Sequence, residues 1–385
     1  MTRFARGLIV GKLSPLHHGH ELLLRTALQR CEQVFLLSYA SPERPGCAAA
    51  AREAWASELF PSVRHLALDE ARLAALRREH PGLPELPADS APELEQRLFV
   101  AAICRAVWRV TVEAVFTSES YGDGFAAELA RQWGTEVRHV LVDRERRAVP
   151  ISASAIRGDP ALARRYLSPV VYGSLVPRVC VLGGESSGKT TLARELARRL
   201  GTTHSDEYGR ELWLERQGAL RDEDYLRIAQ GQLERDEQAA RHASGLVLCD
   251  TSPLTTLFYS LDALGRAEPE LLRLAQRSYS LSLLCAPDFP FVQDGTRRDA
   301  HFRQRQHEFY LRELGARGGR WLLLEGPLET RLTQAQRALG SLSPLNAPQV
   351  DIPHPTPRTP THAALSYPCQ SLTDNRLDQK SPRKS

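Results

Sequence analysis

Lysine is nearly missing from this 385-residue chain: 46 of its 50 basic residues are arginine, and Lys12, Lys189, Lys380 and Lys384 are its only lysines. Two lysines therefore serve the first 379 residues, and both stand in glycine-flanked turns. Also absent is any apolar run approaching the roughly 20 residues that a membrane-spanning helix requires, so insertion through helices is not expected. Gly7–Leu13 is too short for a secretory leader and lacks a small-residue cleavage pattern, and a cytoplasmic protein is the expectation. The seven cysteines form no CxxC and no Cys/His cluster, and Cys104, Cys180 and Cys249 sit inside apolar stretches. Neither a disulfide framework nor a zinc site follows, only reduced and buried small hydrophobes. A net charge of +4 spread along the chain leaves no nucleic-acid footprint. What remains is an ordinary globular composition, 42% hydrophobic and 25% charged, in a chain long enough for two α/β domains.

The first half alternates short apolar runs with amphipathic stretches. Strands are predicted at Gly7–Leu13, Val34–Ala40, Val63–Asp69, Glu113–Glu119 and Val137–Asp143. A helix is predicted over Glu21–Arg30, with Leu22, Leu23, Ala27 and Leu28 on one face. Such alternation implies a parallel sheet covered on both sides. Glu70–Glu95 reads as a helix followed by an exposed loop and is assigned no chemistry. The pattern restarts at Arg178–Leu182, followed by a Gly/Ser turn and a helix over Thr190–Leu200 that Gly201 caps. Leu246–Asp250 and Trp321–Leu324 are further strand candidates. The join is expected around Pro169–Pro177, where Pro, Gly and Ser interrupt both patterns. This gives domains at 1–172 and 173–340, then a proline-rich tail at 341–385 with too little apolar surface to offset ordering. A disordered tail is the main reading and a proline-rich ligand for a partner the alternative.

Two constellations carry chemistry. The first strand runs into Ser14-Pro15-Leu16-His17-His18-Gly19-His20 and then a helix, which contains the pattern H-x-G-H. Gly19 lets the backbone approach a phosphate, the helix start supplies N–H donors, and His17 and His20 can both face a triphosphate. Late in the same half, Ile151-Ser152-Ala153-Ser154-Ala155-Ile156-Arg157 places two hydroxyls and a guanidinium at a predicted helix start, a second phosphate clamp. Thr117-Ser118-Glu119 either touches nucleotide or merely ends a strand. Lys12, retained where arginine is otherwise the rule, is expected to reach a phosphate that a compact ammonium fits and a planar guanidinium does not.

The second constellation is Gly183-Gly184-Glu185-Ser186-Ser187-Gly188-Lys189-Thr190-Thr191, a complete G-x-x-x-x-G-K-[ST] loop between a strand and a helix. Its N–H groups would cradle phosphates, Lys189 would reach the β- and γ-phosphates, and Thr190 would ligate Mg²⁺. Asp250 ends a hydrophobic strand and would hold the same ion, directly or through water. Asp206 or Glu207 is the candidate to bind ribose hydroxyls and take the acceptor's proton. Asp294-Gly295-Thr296-Arg297-Arg298-Asp299, with Arg303 and Arg305 beyond, is either a lid over the transferring phosphoryl group or a solvated helix face.

The first pair of motifs resembles the nucleotidyltransferase superfamily that includes nicotinamide-nucleotide adenylyltransferases. Leu13 and Ser14 depart from it, since aromatic residues are more usual there. With G-G-E-S-S-G-K-T-T and D-E-Y-G-R-E following, the order of parts over roughly residues 5–330 resembles the bifunctional NadR-type proteins. The resemblance implies two doubly wound α/β domains: an HxGH nucleotidyltransferase of Rossmann-like fold, then a P-loop kinase. It further implies phosphorylation of ribosylnicotinamide by ATP, then adenylylation of nicotinamide mononucleotide to NAD with release of pyrophosphate, both with Mg²⁺. Some members carry an amino-terminal DNA-binding segment; the first strand begins within ten residues of Met1, and no repressor role is expected. The expected partners are these small molecules, with no nucleic acid and no membrane insertion, and a homo-oligomer is left open. Two alternatives share the motifs: a transferase half acting on another small phosphorylated acceptor, and a nucleotide-sensing regulator.

Overall fold

The computed structural model describes residues 3–293 and 297–342. Its first lobe runs β1 (Phe4–Gly11), α1 (His18–Arg30), β2 (Cys31–Tyr39), α2 (Ala49–Leu59), β3 (Arg64–Leu68), α3 (Glu70–Glu79), α4 (Glu93–Ile103), β4 (Ala114–Thr117), α5 (Gly122–Trp133) and β5 (Arg138–Leu141). The strands form one sheet in the order β3-β2-β1-β4-β5, every pair parallel. Alternate residues of the central strands feed two cores. Ile9, Leu36 and Phe116 pack with α1 and α2 on one face; Leu8, Phe35, Leu37 and Val115 pack with α4 and α5 on the other. Burial on both faces explains why these strands read as continuous apolar runs. The order reverses between β1 and β4, which opens a crevice beyond their carboxyl ends.

Three short helices follow, α6 (Ala153–Gly158), α7 (Pro160–Tyr166) and α8 (Pro169–Leu175). The second lobe then runs β6 (Arg178–Gly183), α9 (Lys189–Leu200), β7 (Thr203–Ser205), α10 (Tyr208–Glu215), α11 (Asp222–His242), β8 (Val247–Asp250), α12 (Pro253–Leu264), α13 (Pro269–Leu274), β9 (Leu281–Cys285), α14 (Ala300–Arg317), β10 (Trp321–Leu324) and α15 (Leu328–Leu339). Its sheet is also all parallel, in the order β10-β9-β6-β8-β7, and reverses at β6. Two doubly wound α/β sheets are thus present.

The segment expected to join the two patterns, Pro169–Pro177, is largely helical. Pro169 occupies the first turn of α8, where a missing N–H costs nothing. Val171, Tyr172 and Leu175 are buried against α2 and α11. Gly173 lets α8 approach α11, because a Cβ there would lie 3.0 Å from the Arg241 backbone. Trp55 donates to Ser174 Oγ at 2.9 Å, the Gly245 N–H donates to Tyr172 Oη at 3.0 Å, and Arg241 pairs with Glu58 at 2.8 Å. The two sheets therefore share a core and lie in one compact unit, and the expected boundary at 172 falls inside α8. Six cysteines are free and buried among the described residues. The expected tail, 341–385, lies outside the described residues from 343 onward.

Candidate functional site

Each lobe opens a cavity at its switch point. The first, of about 350 Å³, is lined from the ends of β1 and β4 and by the segment leading into α6. His17 caps α1, and the Gly19 N–H donates to its Nδ1 at 3.1 Å. The His17 N–H donates to His20 Nδ1 at 3.3 Å, and the two rings stack with centroids 3.8 Å apart. Since each Nδ1 accepts, each neutral ring carries its proton on Nε2. Burial first, then Arg146 nearby, brings His17 down to about 4; burial, then His17 and Arg146, holds His20 well below the ordinary histidine range. Both are therefore neutral N–H donors at neutral pH.

Arg157 ties the two motifs together. It donates to the Ser14 carbonyl and, at 2.9 Å, to Ser154 Oγ. Ser152 is the α6 N-cap, accepting from the Ala155 N–H at 3.1 Å. Lys12 lines the same cavity, half-exposed and 2.9 Å from Asp89. Thr117, Ser118 and Glu119 line it too. Thr117 Oγ1 lies 2.8 Å from His139 Nε2. The stretch Glu70–Glu95, which carries no motif, thus supplies Asp89 to the cavity. Arg146 is a second addition. Asp143 accepts from the N–H groups of Arg147, Ala148 and Val149, which curls the chain and brings Arg146 to Glu119 at 3.1 Å.

The second cavity, of about 490 Å³, lies beside the loop between β6 and α9. Gly183 has φ +150°, and a Cβ there would lie 2.4 Å from Ser187 Oγ. Gly188 caps α9, and Lys189 Nζ donates to the Gly184 carbonyl at 3.1 Å. Ser187 is buried, and its carbonyl accepts from Arg331 at 3.0 Å. Thr190 Oγ1 donates to Asp250 Oδ2 at 2.6 Å, while Asp250 Oδ1 is buried without a hydrogen-bond partner among the described residues. Burial and then Glu207 push the Asp250 carboxyl up to about 6, against Lys189 and Thr190. An orphaned buried carboxylate oxygen beside a threonine hydroxyl fits a magnesium ion. No group of three or more His, Cys, Asp or Glu could hold a metal among the described residues, so such an ion would complete its shell from phosphate oxygens and water. Thr191, expected at the phosphates, is exposed on α9 and does not line the cavity.

The two acidic candidates separate. Asp206 points away, 2.8 Å from Arg194, a hydrogen bond that lowers its pKa. Glu207 lines the cavity with Lys189. Glu185 accepts from Tyr259 Oη at 2.9 Å and the Arg298 N–H at 2.7 Å, and Arg297 donates to Ser186 Oγ at 3.3 Å, so Arg297 and Arg298 lie across the phosphate loop. Asp294, Gly295 and Thr296 of the expected lid lie outside the described residues. Arg303 is buried against Gly184, and Arg305 pairs with Asp262 at 2.9 Å. The far wall is aromatic: Trp213, Tyr225 and Tyr259, from α10, α11 and α12.

The trifunctional NAD biosynthesis/regulator protein NadR of Salmonella typhimurium (strain LT2) is 28% identical over 311 residues, covering 76% of this chain and 71% of that protein. Two crystal structures of NadR protein, one in complex with NR and one with NAD and AMP-PNP, each superpose with a TM-score of 0.60. They are 20% and 21% identical, cover 89% and 92% of this chain, and are themselves covered to 97% and 99%. The chain is thus similar to NadR over most of its length. Within it, the family described as AAA domain matches residues 178–331, from the start of β6 into α15. What sequence reasoning missed is mostly the walls: Asp89, Arg146 and the three aromatics carry no motif, and only the fold gathers them.

Proposed function

We propose that the second lobe phosphorylates ribosylnicotinamide with ATP and that the first joins the resulting nicotinamide mononucleotide to the adenylyl group of a second ATP, giving NAD and pyrophosphate. The supporting observation is that one chain, similar to NadR over most of its length, holds two cavities with different side-chain linings. One is a phosphate loop facing Glu207 and aromatic rings; the other is a pair of neutral imidazole donors closed by Arg157. The ligands named for the solved NadR structures, NR in one and NAD with AMP-PNP in the other, are of the kinds this reading requires.

In the second cavity, the aromatic wall packs the flat nicotinamide ring and orients the ribose toward Lys189. Glu207 accepts the proton of the 5′-hydroxyl as its oxygen bonds to the γ-phosphorus and the bond to ADP breaks. Lys189 and the loop N–H groups stabilise charge on the transferring group. Asp250 and Thr190 would hold Mg²⁺, which supplies further charge neutralisation when bound.

In the first cavity the nucleophile is a phosphate oxygen of the mononucleotide, already anionic, so no base is needed. It bonds to the α-phosphorus of ATP as pyrophosphate leaves. His17 and His20 donate from Nε2 to the charge that develops there, and Lys12, Arg146 and Arg157 offset the phosphates. Positioning and fixed donors account for the chemistry without a covalent intermediate.

A panel of nucleosides and phosphorylated acceptors with ATP, read by mass, tests this. Ribosylnicotinamide should give the mononucleotide and then NAD; turnover of another acceptor alone would overturn the reading.

A further inference from the structure

Glu207 stands on a short turn between β7 and α10, where backbone ordinarily has latitude. Here it is held from both sides. The Tyr208 N–H donates to Gln232 Oε1 at 2.9 Å, and Gln232 Nε2 donates to the Asp206 carbonyl at 3.4 Å. One side-chain amide from α11 thus clamps the residue before Glu207 and the residue after it. An amide presents a donor and an acceptor side by side in this way, without charge at any pH.

The amide is itself oriented. Asp236, one turn further along α11, accepts at Oδ1 from Gln232 Nε2 at 3.1 Å and from Ser205 Oγ at 2.6 Å. That arrangement turns the NH₂ end of Gln232 toward Asp206 and leaves Oε1 for Tyr208. Ser205, Gln232 and Asp236 are 3%, 1% and 0% exposed. Burying such groups costs more than burying apolar ones, and Asp236 Oδ2 has no hydrogen-bond partner among the described residues. Burial also pushes the Asp236 carboxyl up. A network this costly, ending on the turn that carries Glu207, is a device for geometry rather than for stability.

The geometry points to Gln232 as a positioning residue for phosphoryl transfer, which holds the turn presenting Glu207 to the acceptor hydroxyl, with Asp236 and Ser205 fixing the orientation of its amide. The inference rests on the reading of Glu207 as the group that takes the acceptor's proton.

The test is a double-variant cycle on the full chain, measuring kcat and acceptor KM for ribosylnicotinamide phosphorylation in wild type, Gln232→Leu, Glu207→Gln and the double variant. Gln232→Leu should lower kcat by about tenfold or more, with acceptor KM changed by less than about threefold, because misplacement of a reacting group costs rate. In the Glu207→Gln background the same substitution should cost less than about twofold, since residues acting through one another are not additive. Gln232→Glu should not rescue, because its oxygen would face Asp236 and the Asp206 carbonyl. Should Gln232→Leu not fold, Ser205→Ala removes only the outer bond. Its smaller loss of kcat must likewise vanish in the Glu207→Gln background, with faster hydrogen exchange at the Tyr208 amide. Equal losses in both backgrounds, or a raised acceptor KM in place of a lowered kcat, overturn the inference alone. A Glu207→Gln variant that turns over like wild type overturns the reading of Glu207 and this inference with it.

Discussion

The Arg157 guanidinium hydrogen-bonds the carbonyl oxygen of Ser14, 143 residues earlier, and so closes the S-x-S-x-x-R segment against the H-x-G-H segment. Arg157→Ala should therefore lower adenylyl transfer by roughly 10²-fold, the usual cost of losing one fixed donor at developing charge. Phosphorylation of ribosylnicotinamide should not change. Steady-state rates for the two half-reactions, assayed separately, check this.

Neutral His17 gives a pH prediction. Its folded pKa of about 4 lies below the ordinary 6.5, so the unfolded chain binds more protons between those values. The stability it permits is fully present above pH 6.5, and is lost as pH falls toward 4. The NMR signals of His17 should show no titration near pH 6.5, and a His17→Asn variant should lose less stability than wild type across that window.

Asp250 has the opposite sign. Its carboxyl is raised to about 6, so the folded chain binds the extra proton, and its ionised form at neutral pH costs on the order of 3 kcal/mol. The cost is present above pH 6 and is relieved as pH falls toward 3.8. Asp250→Asn should raise the melting temperature at pH 8 in the absence of ligand yet abolish the phosphoryl transfer that depends on Mg²⁺. Mg²⁺ with ADP should stabilise wild type more at pH 8 than at pH 5, and chelation should reverse that gain. Thermal melts across pH, with and without the metal, decide it.

The sheets and the phosphate segments were legible because their signals are local. A buried parallel strand is a short apolar run, and phosphate loops need glycine and lysine at fixed offsets, so β3, β6, β8 and β10 were placed nearly as found, while β1 begins three residues earlier than expected. β7 went unread because Thr203–Ser205 has no apolar residue, and β9 because Leu281–Cys285 stood in a stretch without a clear helix before it. The join at Pro169–Pro177 was legible, but its helix α8 was not, because Pro169 and Gly173, read alone, are breakers. In the fold one starts the helix and the other admits α11. Trp213, Tyr225 and Tyr259 come from three helices, and nothing in their spacing reveals that they share a wall. Choosing Glu207 over Asp206 required the direction of a side chain, which sequence does not carry.

Lys12 tests the argument from lysine scarcity. It reaches the first cavity from the end of β1 and, without ligand, pairs with Asp89. Lys12→Arg keeps the charge but not the compact shape. It should lower adenylyl transfer by about tenfold, or about 1.4 kcal/mol of transition-state stabilisation. Wild-type rates for both Lys12→Arg and Lys12→Ala, at low and at saturating ATP, would refute the role.

The most direct test of two separate activities in one chain is the product distribution from ATP and ribosylnicotinamide in Lys189→Ala and His20→Ala. Lys189→Ala should make no mononucleotide from ribosylnicotinamide, yet should convert added nicotinamide mononucleotide to NAD at the wild-type rate. His20→Ala should accumulate the mononucleotide and make NAD about 10²-fold more slowly. Folded variants that lose both activities together, or that keep both, would contradict the account.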